Sequence, residues 1–422
     1  MSLYEARPFL GGRATSYQLN TRDEGDATTI DNCQHVLLRC CTNLLDFYRR
    51  LGVADRVEFH REFYWIEPGG RTSVMKRGRL PAPLHFTESF AKLRFLSLSD
   101  KFSVASGLLS VRYEYGTRKD LARITMMDWL REKKQSTGAI ERFWRQVLVS
   151  AINEDLETMA AVHGLQVFYL GFLANPIAYE MGIPRVPLGE LYSEKSWSEY
   201  PKVKIVERAT AQGVTVENGR VKAVTVSDKP VTADAFIFAV PFERLTALLP
   251  SVEVNLTPFR HSPITGIHLW FDRKITDLPH ATLLDRTVQW MFNKGEGRYI
   301  QLVVSASRGL TGMSRNDVID LAVRELQDFF PAVRQAKVER AHVVKEVRAT
   351  FSATPELEGI RPVNKTSIPN LFLTGDWTRS GWPSTMEGAV RSGYLAAEAA
   401  TEALGNKQRF LIRHPSESKN QR

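Results

Sequence analysis

A turn, an acidic residue and the start of a helix follow one another in the stretch 375–397. Asp376 comes directly after the apolar run 370–374, which predicts a strand, so its carboxylate can accept hydrogen bonds from sugar or ribityl hydroxyls. Ser384 and Glu387 have the spacing of a capping box, which predicts a helix N-terminus. The free N–H groups and partial positive charge there suit a phosphate or the negatively charged edge of a reduced flavin. A closely packed C-terminal helix without a ligand is the simpler alternative.

The beginning of the chain carries a second candidate binding motif. Glu5 ends a short predicted strand, and an acidic residue in that place binds ribose hydroxyls in dinucleotide folds. Gly12, in a Gly-Gly pair, lets the backbone approach a ligand closely, and Arg13 can pair with a phosphate. An acidic strand end with an ordinary Gly-Gly turn would give the same pattern without a ligand.

Together these two motifs resemble the flavin-contacting ends of the flavin amine-oxidase superfamily: Glu5-Ala-Arg-x-x-x-Gly-Gly-Arg13, and Gly375-Asp-Trp-Thr378 with Met386-Glu-Gly-Ala-Val-x-Ser-Gly393. Four further segments are similar to the squalene-associated FAD enzymes of bacterial hopanoid synthesis, the hydroxysqualene dehydroxylases. These segments are 31–38, 182–188, 350–355 and 381–387. The resemblance covers nearly the whole chain.

The resemblance implies FAD as the cofactor and a place along it for each matching residue. Glu5 would hold the adenosine ribose, and Val206, opening a mid-chain strand, would touch adenine through its backbone. Gly12 and Arg13 would lie along the pyrophosphate and the ribityl chain. The ribityl chain and the flavin edge would be lined by four C-terminal residues: Gly375, Asp376, Met386 and Glu387.

One feature of the resembling family is missing from the printed sequence. Its dinucleotide fold begins with a strand, a Gly-x-Gly-x-x-Gly loop and a helix, and the acidic residue follows about 20 residues later. Here that acidic residue is Glu5, so the first βα unit is absent. We expect a mis-assigned start codon, and a truncated, inactive chain is the alternative. Cys33 and Arg39 also stand where the family tends to have glycine.

The elements that must position these residues predict an α/β fold. It consists of a Rossmann-like FAD-binding domain, lacking its first βα unit, and an α+β substrate domain of the amine-oxidase and carotenoid-desaturase type. A hairpin with an Asn-Gly turn is predicted over 213–226, a buried parallel strand over 234–241 and a helical region over 85–192. The predicted boundaries are 1–52, 193–254 and 351–404 for the FAD domain, 53–192 and 255–350 for the substrate domain, and 405–422 for a flexible tail.

The net charge of +9 is concentrated in one segment. Residues 71–123 contain 11 Lys or Arg against 4 Asp or Glu, interleaved with Leu and Phe. This pattern predicts either a solvated charged face over a core or attachment to an anionic membrane surface. No nucleic-acid motif, metal-ligand spacing, signal peptide or membrane-spanning stretch is present, and the three cysteines suit a reducing compartment. We expect a cytoplasmic protein, peripheral on the cytoplasmic membrane in the second case.

For the function, the resemblance implies an FAD-dependent oxidoreductase acting on a C30 isoprenoid. The expected reaction is the reductive dehydroxylation of hydroxysqualene to squalene in hopanoid synthesis, in association with other isoprenoid-pathway enzymes. A carotenoid-type, phytoene-like desaturase, an amine oxidase and a non-catalytic isoprenoid- or partner-binding protein remain as alternatives. No catalytic residue is identified, although Asp31, Gln34 and His35 form a polar cluster that could face the flavin.

Overall fold

Six sheets and a layer of helices make up the computed structural model, which describes residues 1–19, 28–250, 252 and 254–414. The strands in chain order are β1 (Ser2–Tyr4), β2 (Ser16–Leu19), β3 (Thr28–Asp31), β4 (Leu37–Leu38), β5 (Val57–His60), β6 (Glu62–Ile66), β7 (Thr72–Lys76), β8 (Met181–Pro184), β9 (Lys204–Val206), β10 (Ala211–Glu217), β11 (Arg220–Val226), β12 (Lys229–Val231), β13 (Phe236–Phe238), β14 (His261–Phe271), β15 (His280–Leu283), β16 (Trp290–Gly295), β17 (Tyr299–Ser305), β18 (Val338–Phe351) and β19 (Leu371–Leu373).

The α-helices are concentrated in the middle of the chain, as predicted. They are α1 (Thr42–Arg50), α2 (Thr87–Ala91), α3 (Leu98–Glu114), α4 (Met126–Glu132), α5 (Thr137–Ala139), α6 (Arg145–Ile152), α7 (Ala161–Phe168), α8 (Leu188–Leu191), α9 (Phe242–Leu248), α10 (Arg315–Phe329), α11 (Pro355–Glu358) and α12 (Met386–Ala403). Short 3₁₀ or π turns supplement them at Ala54–Arg56, Leu84–Phe86, Ile140–Trp144, Tyr169–Leu173, Glu194–Trp197, Arg308–Leu310 and Pro331–Gln335.

The largest sheet has seven strands in the order β18-β14-β17-β16-β15-β6-β7. Neighbouring strands are antiparallel except β15 and β6, which run parallel. Because side chains alternate along a strand, the sheet has two distinct faces. One face carries residues such as Ile267 and Leu302 and packs on α10, which we call the apolar face. The other face carries residues such as Trp65, His268 and Gln301 and meets the helices of the middle region; we call it the polar face.

Two short parallel pairs lie apart from this sheet. Strand β1 pairs with β9, and β13 pairs with β19. In β19 all three residues are buried, whereas the β1 pattern is exposed, half-buried, exposed. The prediction of a parallel strand within 234–241 is confirmed, but Ile237 is 44 % exposed, so this strand is not buried on both faces.

Local sequence signals account for several of these elements. The predicted hairpin forms from β10 and β11, and Asn218 and Gly219 take positive φ values of 51° and 72°, as its turn requires. The mixed α/β class is also confirmed. The boundaries between an FAD domain and a substrate domain stay a prediction.

The described part of the predicted flexible tail is held to the body of the protein. The carboxylate of Glu398 accepts hydrogen bonds from the backbone N–H groups of Phe410 and Leu411, and Asn43 exchanges two hydrogen bonds with Ile412. The expectation of a loose tail is therefore wrong for 410–412. Residues 415–422 of that expectation lie outside the described residues.

Candidate active site

Arg13 and Asp376, taken from opposite ends of the sequence, form an ion pair in the structure. The Arg13 Nη2 atom lies 2.5 Å from Asp376 Oδ1. The other carboxylate oxygen of Asp376 accepts a hydrogen bond from the Ser384 hydroxyl. Asp376 is 7 % exposed, so this pair is largely shielded from water. The structure thus brings together two of the residues that the resemblance assigns to the same cofactor.

Gly375 gives the turn before Asp376 its shape. Its φ of 139° is a conformation that side chains rarely adopt, and a Cβ there would lie 2.6 Å from Trp377 Nε1. Trp377 Nε1 donates to the Val240 carbonyl, and the Ser392 hydroxyl accepts from the Gly375 N–H. The turn is therefore fixed against the segment that follows β13 and against α12.

The carbonyls of the same turn are held by a buried guanidinium. Arg361, 0 % exposed, donates to the carbonyls of Asp376 and Thr378 and pairs with Glu358 at 2.8 Å. Glu358 in turn lies 2.9 Å from His163 Nε2, on α7. Burial opposes ionisation of Glu358, but His163 and Arg361 outweigh it and lower the pKa of Glu358 to about 2. The backbone around Asp376 is thereby anchored to the helical layer.

The N-terminus of α12 differs from the sequence prediction by one residue. Thr385, not Ser384, is the N-cap, and its hydroxyl accepts from the Gly388 N–H at 3.0 Å. The predicted capping box between Ser384 and Glu387 is therefore wrong, because Ser384 is bonded to Asp376 instead.

Glu387 caps helix α1 rather than its own helix α12. Its carboxylate accepts from the Asn43 N–H at 3.2 Å, the Asn43 amide at 2.8 Å and the Leu44 N–H at 2.7 Å, which caps the start of α1. Burial raises the pKa of Glu387, and these hydrogen bonds partly oppose that shift. The preceding Met386 places its Sδ 3.7 Å from the Tyr192 hydroxyl. A direct contact of Met386 or Glu387 with a flavin stays a prediction.

The N-terminal motif is tied to β9. The Glu5 N–H donates to the Val206 carbonyl at 2.9 Å, and Glu5 Oε1 accepts from the Arg7 N–H at 2.8 Å. Gly12 has φ 60°, and its carbonyl accepts from the Arg7 side chain. Val206 ends β9 and does not open a strand, which corrects its expected position. Its proposed contact with adenine is untested.

Several polar groups around these residues have no partner among the described residues, and they provide the test of whether FAD fits. The Trp382 Nε1 and Asn32 Oδ1 atoms are buried without a hydrogen-bond partner. The N–H groups of Met386 and Glu387, at the start of α12, likewise have no acceptor in the described part. Donors and acceptors at a helix N-terminus are what the polar edge of a flavin needs. The residues present therefore fit FAD.

The predicted polar cluster lies on the polar face of the sheet and includes a lysine that the sequence reading missed. The Lys294 ammonium donates to Gln34 Oε1 at 3.0 Å. Burial lowers the pKa of Lys294, while Asp31 acts in the opposite direction. His35 Nδ1 lies 2.9 Å from the Cys33 carbonyl, and burial lowers the pKa of His35. Lys294 alternates with Trp290 and Phe292 along β16, so its side chain lies on the same face of the strand as these two rings. A charged residue in such a position was the sequence signal that could have identified it.

Asp31 and the backbone beside it join this cluster to the sheet. Asp31 accepts from the Ser16 hydroxyl at 2.6 Å and from the Leu188 N–H at 2.9 Å. A Cβ on Gly266, in the middle of β14, would lie 3.0 Å from the Asn32 carbonyl oxygen. The segment 31–35 therefore rests directly on the polar face at Gly266.

Two other features carry no predicted site residue. An open cleft of about 450 Å³ is lined largely by charged side chains, among them Arg145, Asp155 and Glu325. Over the described residues, no group of three potential metal ligands occurs, and no helix is long and apolar enough to cross a bilayer.

Comparisons with known proteins agree with this geometry. Residues 1–401 match the model of the family described as flavin containing amine oxidoreductase. The chain is 26 % identical to a 15-cis-phytoene desaturase of Solanum lycopersicum, over 97 % of this chain and 75 % of the relative. It is 24 % identical to a zeta-carotene desaturase of Synechocystis, over 97 % of this chain and 93 % of the relative.

Solved structures show the same fold. An oxidoreductase from Methanosarcina mazei superposes with a TM-score of 0.67 at 14 % identity, covering 93 % of this chain and 92 % of its own. A putrescine oxidase variant superposes with a TM-score of 0.65 at 11 % identity, covering 96 % and 93 %. These structures confirm the predicted amine-oxidase architecture. The chain belongs to the family of flavin-containing amine oxidoreductases and is an FAD-dependent oxidoreductase that is similar to carotenoid desaturases.

Proposed function

We propose that the substrate is a long isoprenoid, with desaturation of a phytoene-like polyene as the first candidate reaction. The observation that carries this proposal is the similarity to phytoene and zeta-carotene desaturases along at least 95 % of the chain. Bound FAD would supply the acceptor or donor of a hydride. The Arg13–Asp376 pair and the N-terminus of α12 would hold its polar parts.

The layer that covers the polar face suits an apolar substrate. Trp65 stacks on Phe95 with ring centroids 5.0 Å apart, and Phe143 stacks on Phe168 at 5.6 Å. Together with Phe172 these rings line the interface between sheet and helices. Aromatic and aliphatic walls with few polar groups are typical of sites for hydrocarbon ligands.

Reductive dehydroxylation of hydroxysqualene is the second candidate. It is supported by the four segments 31–38, 182–188, 350–355 and 381–387, which resemble the hydroxysqualene dehydroxylases. Two of them are joined in the structure, because β4 pairs with β8 through Leu37 and Gly182. The squalene and hopanoid assignment rests on these motifs alone.

The test is to incubate the FAD-reconstituted protein with phytoene and with hydroxysqualene and to identify the products by mass spectrometry. Loss of two hydrogens from phytoene would support the first candidate, and appearance of squalene under reducing conditions the second. Asp376→Asn should weaken FAD retention by roughly tenfold, because Arg13 loses its ionic partner. Activity on amines without activity on either isoprenoid would refute the proposal.

A membrane surface is the proposed place from which such a substrate enters. Helix α3 exposes apolar side chains every three or four residues, with Leu98 75 % and Phe102 77 % exposed and Leu109 and Tyr113 on the same side. Its opposite side is also apolar, since Val104 and Val111 are fully buried. A surface helix ordinarily turns polar residues to water, so this stripe suits a lipid surface.

Basic residues around α3 favour anionic lipid. Lys101 and Arg112 flank the stripe, and Lys92 and Arg94 precede it. The paired change Phe102→Ser and Leu109→Ser should reduce binding to vesicles containing phosphatidylglycerol by about tenfold or more. Val347→Ser, at an exposed valine of β18, is the control that should leave binding unchanged. Unchanged binding after removal of Lys92, Arg94 and Lys101 would refute the electrostatic part.

A further inference from the structure

Five side chains on the polar face bury polar atoms that have no partner among the described residues, and two of them are the imidazoles of His268 and His280. The other three carry an amide, a hydroxyl and an indole. They are Gln301, with both its Nε2 and Oε1 atoms, Thr282, with its hydroxyl, and Trp65, with its indole N–H. Gln301 and Thr282 are 0 % exposed and Trp65 is 2 % exposed. A buried polar group without a partner has lost its hydrogen bonds to water and has formed none within the protein, so each such group opposes folding.

The strand register places these three residues in one patch. Gln301 lies opposite Phe292 of the neighbouring strand, and Thr282 lies opposite Trp290 of that same strand on its other side. Thr282 also pairs directly with Trp65. Two strand spacings of about 4.8 Å and an offset of two residues along the strand separate Gln301 from Thr282 by roughly 12 Å across the aromatic rings of β16.

Several other polar atoms of the polar face do have partners within the protein, although His268 Nε2 and both ring nitrogens of His280 do not. His268 Nδ1 lies 2.8 Å from the Tyr299 hydroxyl, Trp290 Nε1 donates to the Ser150 hydroxyl, and the Lys294 ammonium donates to Gln34. Buried polar groups with a purely structural role ordinarily have such partners. The amide of Gln301 and the hydroxyl of Thr282 can both donate and accept, as the recognition of a further polar group requires.

The surroundings of the patch favour an uncharged ligand group. Cross-strand neighbours of Gln301 are His268 and Phe292, and His280 lies beyond Phe292. Burial lowers the pKa of His268 and of His280 to about 3, so both imidazoles are neutral at physiological pH. The nearby cation on this face, Lys294, already donates to Gln34 Oε1, so a neutral ligand group suits the patch better than a charged one. Because the atoms are shielded from water, a ligand reaches them only when the aromatic cover moves.

We propose that the unpartnered groups of this patch recognise an uncharged oxygen on the substrate, namely the hydroxyl group of an isoprenoid alcohol, with Gln301 as the contact on one side of β16 and Thr282 beside Trp65 as the alternative contact on the other. This inference rests on the proposed isoprenoid class of substrate. It goes beyond that class by assigning the residues that distinguish an alcohol from a hydrocarbon of the same skeleton, as the second candidate reaction would require.

The experiment compares hydroxysqualene with squalene, which differ by one hydroxyl. Radiolabelled lipid is partitioned between detergent micelles and the immobilised, FAD-reconstituted protein. We expect the unaltered protein to bind the alcohol about tenfold more tightly, and Gln301→Leu to bring the two affinities within about threefold. Thr282→Val, which keeps the shape of its side chain, should reduce the preference in part. The control is Gln146→Leu, the same change at a glutamine of α6 whose amide oxygen is also unpartnered.

Thermal unfolding separates recognition from a structural role. Gln301→Leu should unfold at the same or a higher temperature, because it removes two unpaired polar atoms and shortens the side chain by only one methylene group. A preference for the alcohol that survives Gln301→Leu, or equal binding of both lipids by the unaltered protein, would overturn the inference alone. Binding of neither lipid would overturn the inference and the proposed isoprenoid function together.

Discussion

The two faces of the seven-stranded sheet are formed by alternate residues of the same strands, yet they differ in polarity. On the apolar face, Leu269, Leu302 and Val343 pack against Val318 and other apolar side chains of α10. On the polar face, the register positions next to them carry other types of residue: His268, Gln301 and His342. One face is continuous with a hydrophobic core, and the other places polar groups beneath an aromatic layer.

The difference shows that the residues of the polar face are not those that would give the folded protein its greatest stability. Apolar residues on both faces would bury more hydrocarbon and leave no polar atom unpaired. The polar face instead contains Lys294, with its lowered pKa, and the unpartnered Gln301 and Thr282. Polar groups buried at such a cost are characteristic of binding and catalytic sites. The four predictions that follow test this contrast.

The largest effect is expected from placing a polar residue on the apolar face. Leu302→Gln should lower the free energy of unfolding by about 3–5 kcal/mol, because it loses apolar burial and adds an unpaired amide. Urea unfolding followed by circular dichroism measures this change. A loss below about 1 kcal/mol would show that the apolar face tolerates polar groups and that the contrast has no energetic meaning.

Acid should act on the polar face through its histidines. His280 has a folded pKa of about 3 against an ordinary value of 6.5, so between these values the unfolded chain binds more protons. Stability therefore falls as the pH drops through this window, approaching about 1.4 kcal/mol per pH unit and amounting to roughly 2 kcal/mol between pH 6.5 and 4.5. His280→Phe should flatten this slope in unfolding measurements across that range. An unaltered slope would mean that His280 is not buried as a neutral imidazole.

Gln301→Leu is the reverse of the first exchange and should have the opposite sign. Removing two unpaired atoms from the polar face is expected to raise the free energy of unfolding by about 1–3 kcal/mol. The same urea experiment measures it beside Leu302→Gln, one residue further along β17. If both variants lose stability, Gln301 has a partner in solution and the contrast between the faces is weaker than proposed.

The smallest effect concerns the backbone that rests on the polar face. Gly266→Ala would bring a Cβ to 3.0 Å from the Asn32 carbonyl oxygen, so the segment 31–35 must shift slightly. A loss of about 1 kcal/mol is expected from this overpacking. Hydrogen exchange should show weaker protection of segment 31–35 in the variant than in the unaltered protein. Unchanged exchange would place that segment further from the sheet.

Local signals in the sequence were sufficient for much of the fold. The Asn218-Gly219 turn and the alternation on either side of it define a hairpin without reference to the rest of the chain. The helix start predicted near Ser384 is likewise confirmed by the long helix α12. The choice between Ser384 and Thr385 as its cap was missed, because two adjacent hydroxyls are equivalent to a local pattern and Asp376 decides between them.

The site depends on contacts between distant parts of the sequence. The pairing of Arg13 with Asp376 was foreseeable only through the resemblance that assigned both to one cofactor. Glu387 caps α1, a helix more than 300 residues earlier, and no local rule predicts that. Gln301 was not identified from the sequence, because it lies within an apolar strand. Its neighbours on the polar face follow only from the register of β17 with β14 and β16.

The most direct test of the account is to follow the visible absorbance of FAD bound to the protein under anaerobic conditions. The account predicts that an isoprenoid changes it: phytoene bleaches the oxidised flavin, or hydroxysqualene restores the oxidised spectrum of the reduced flavin. If neither isoprenoid changes the spectrum while an amine such as putrescine bleaches it, the chain is an amine oxidase and the account is contradicted.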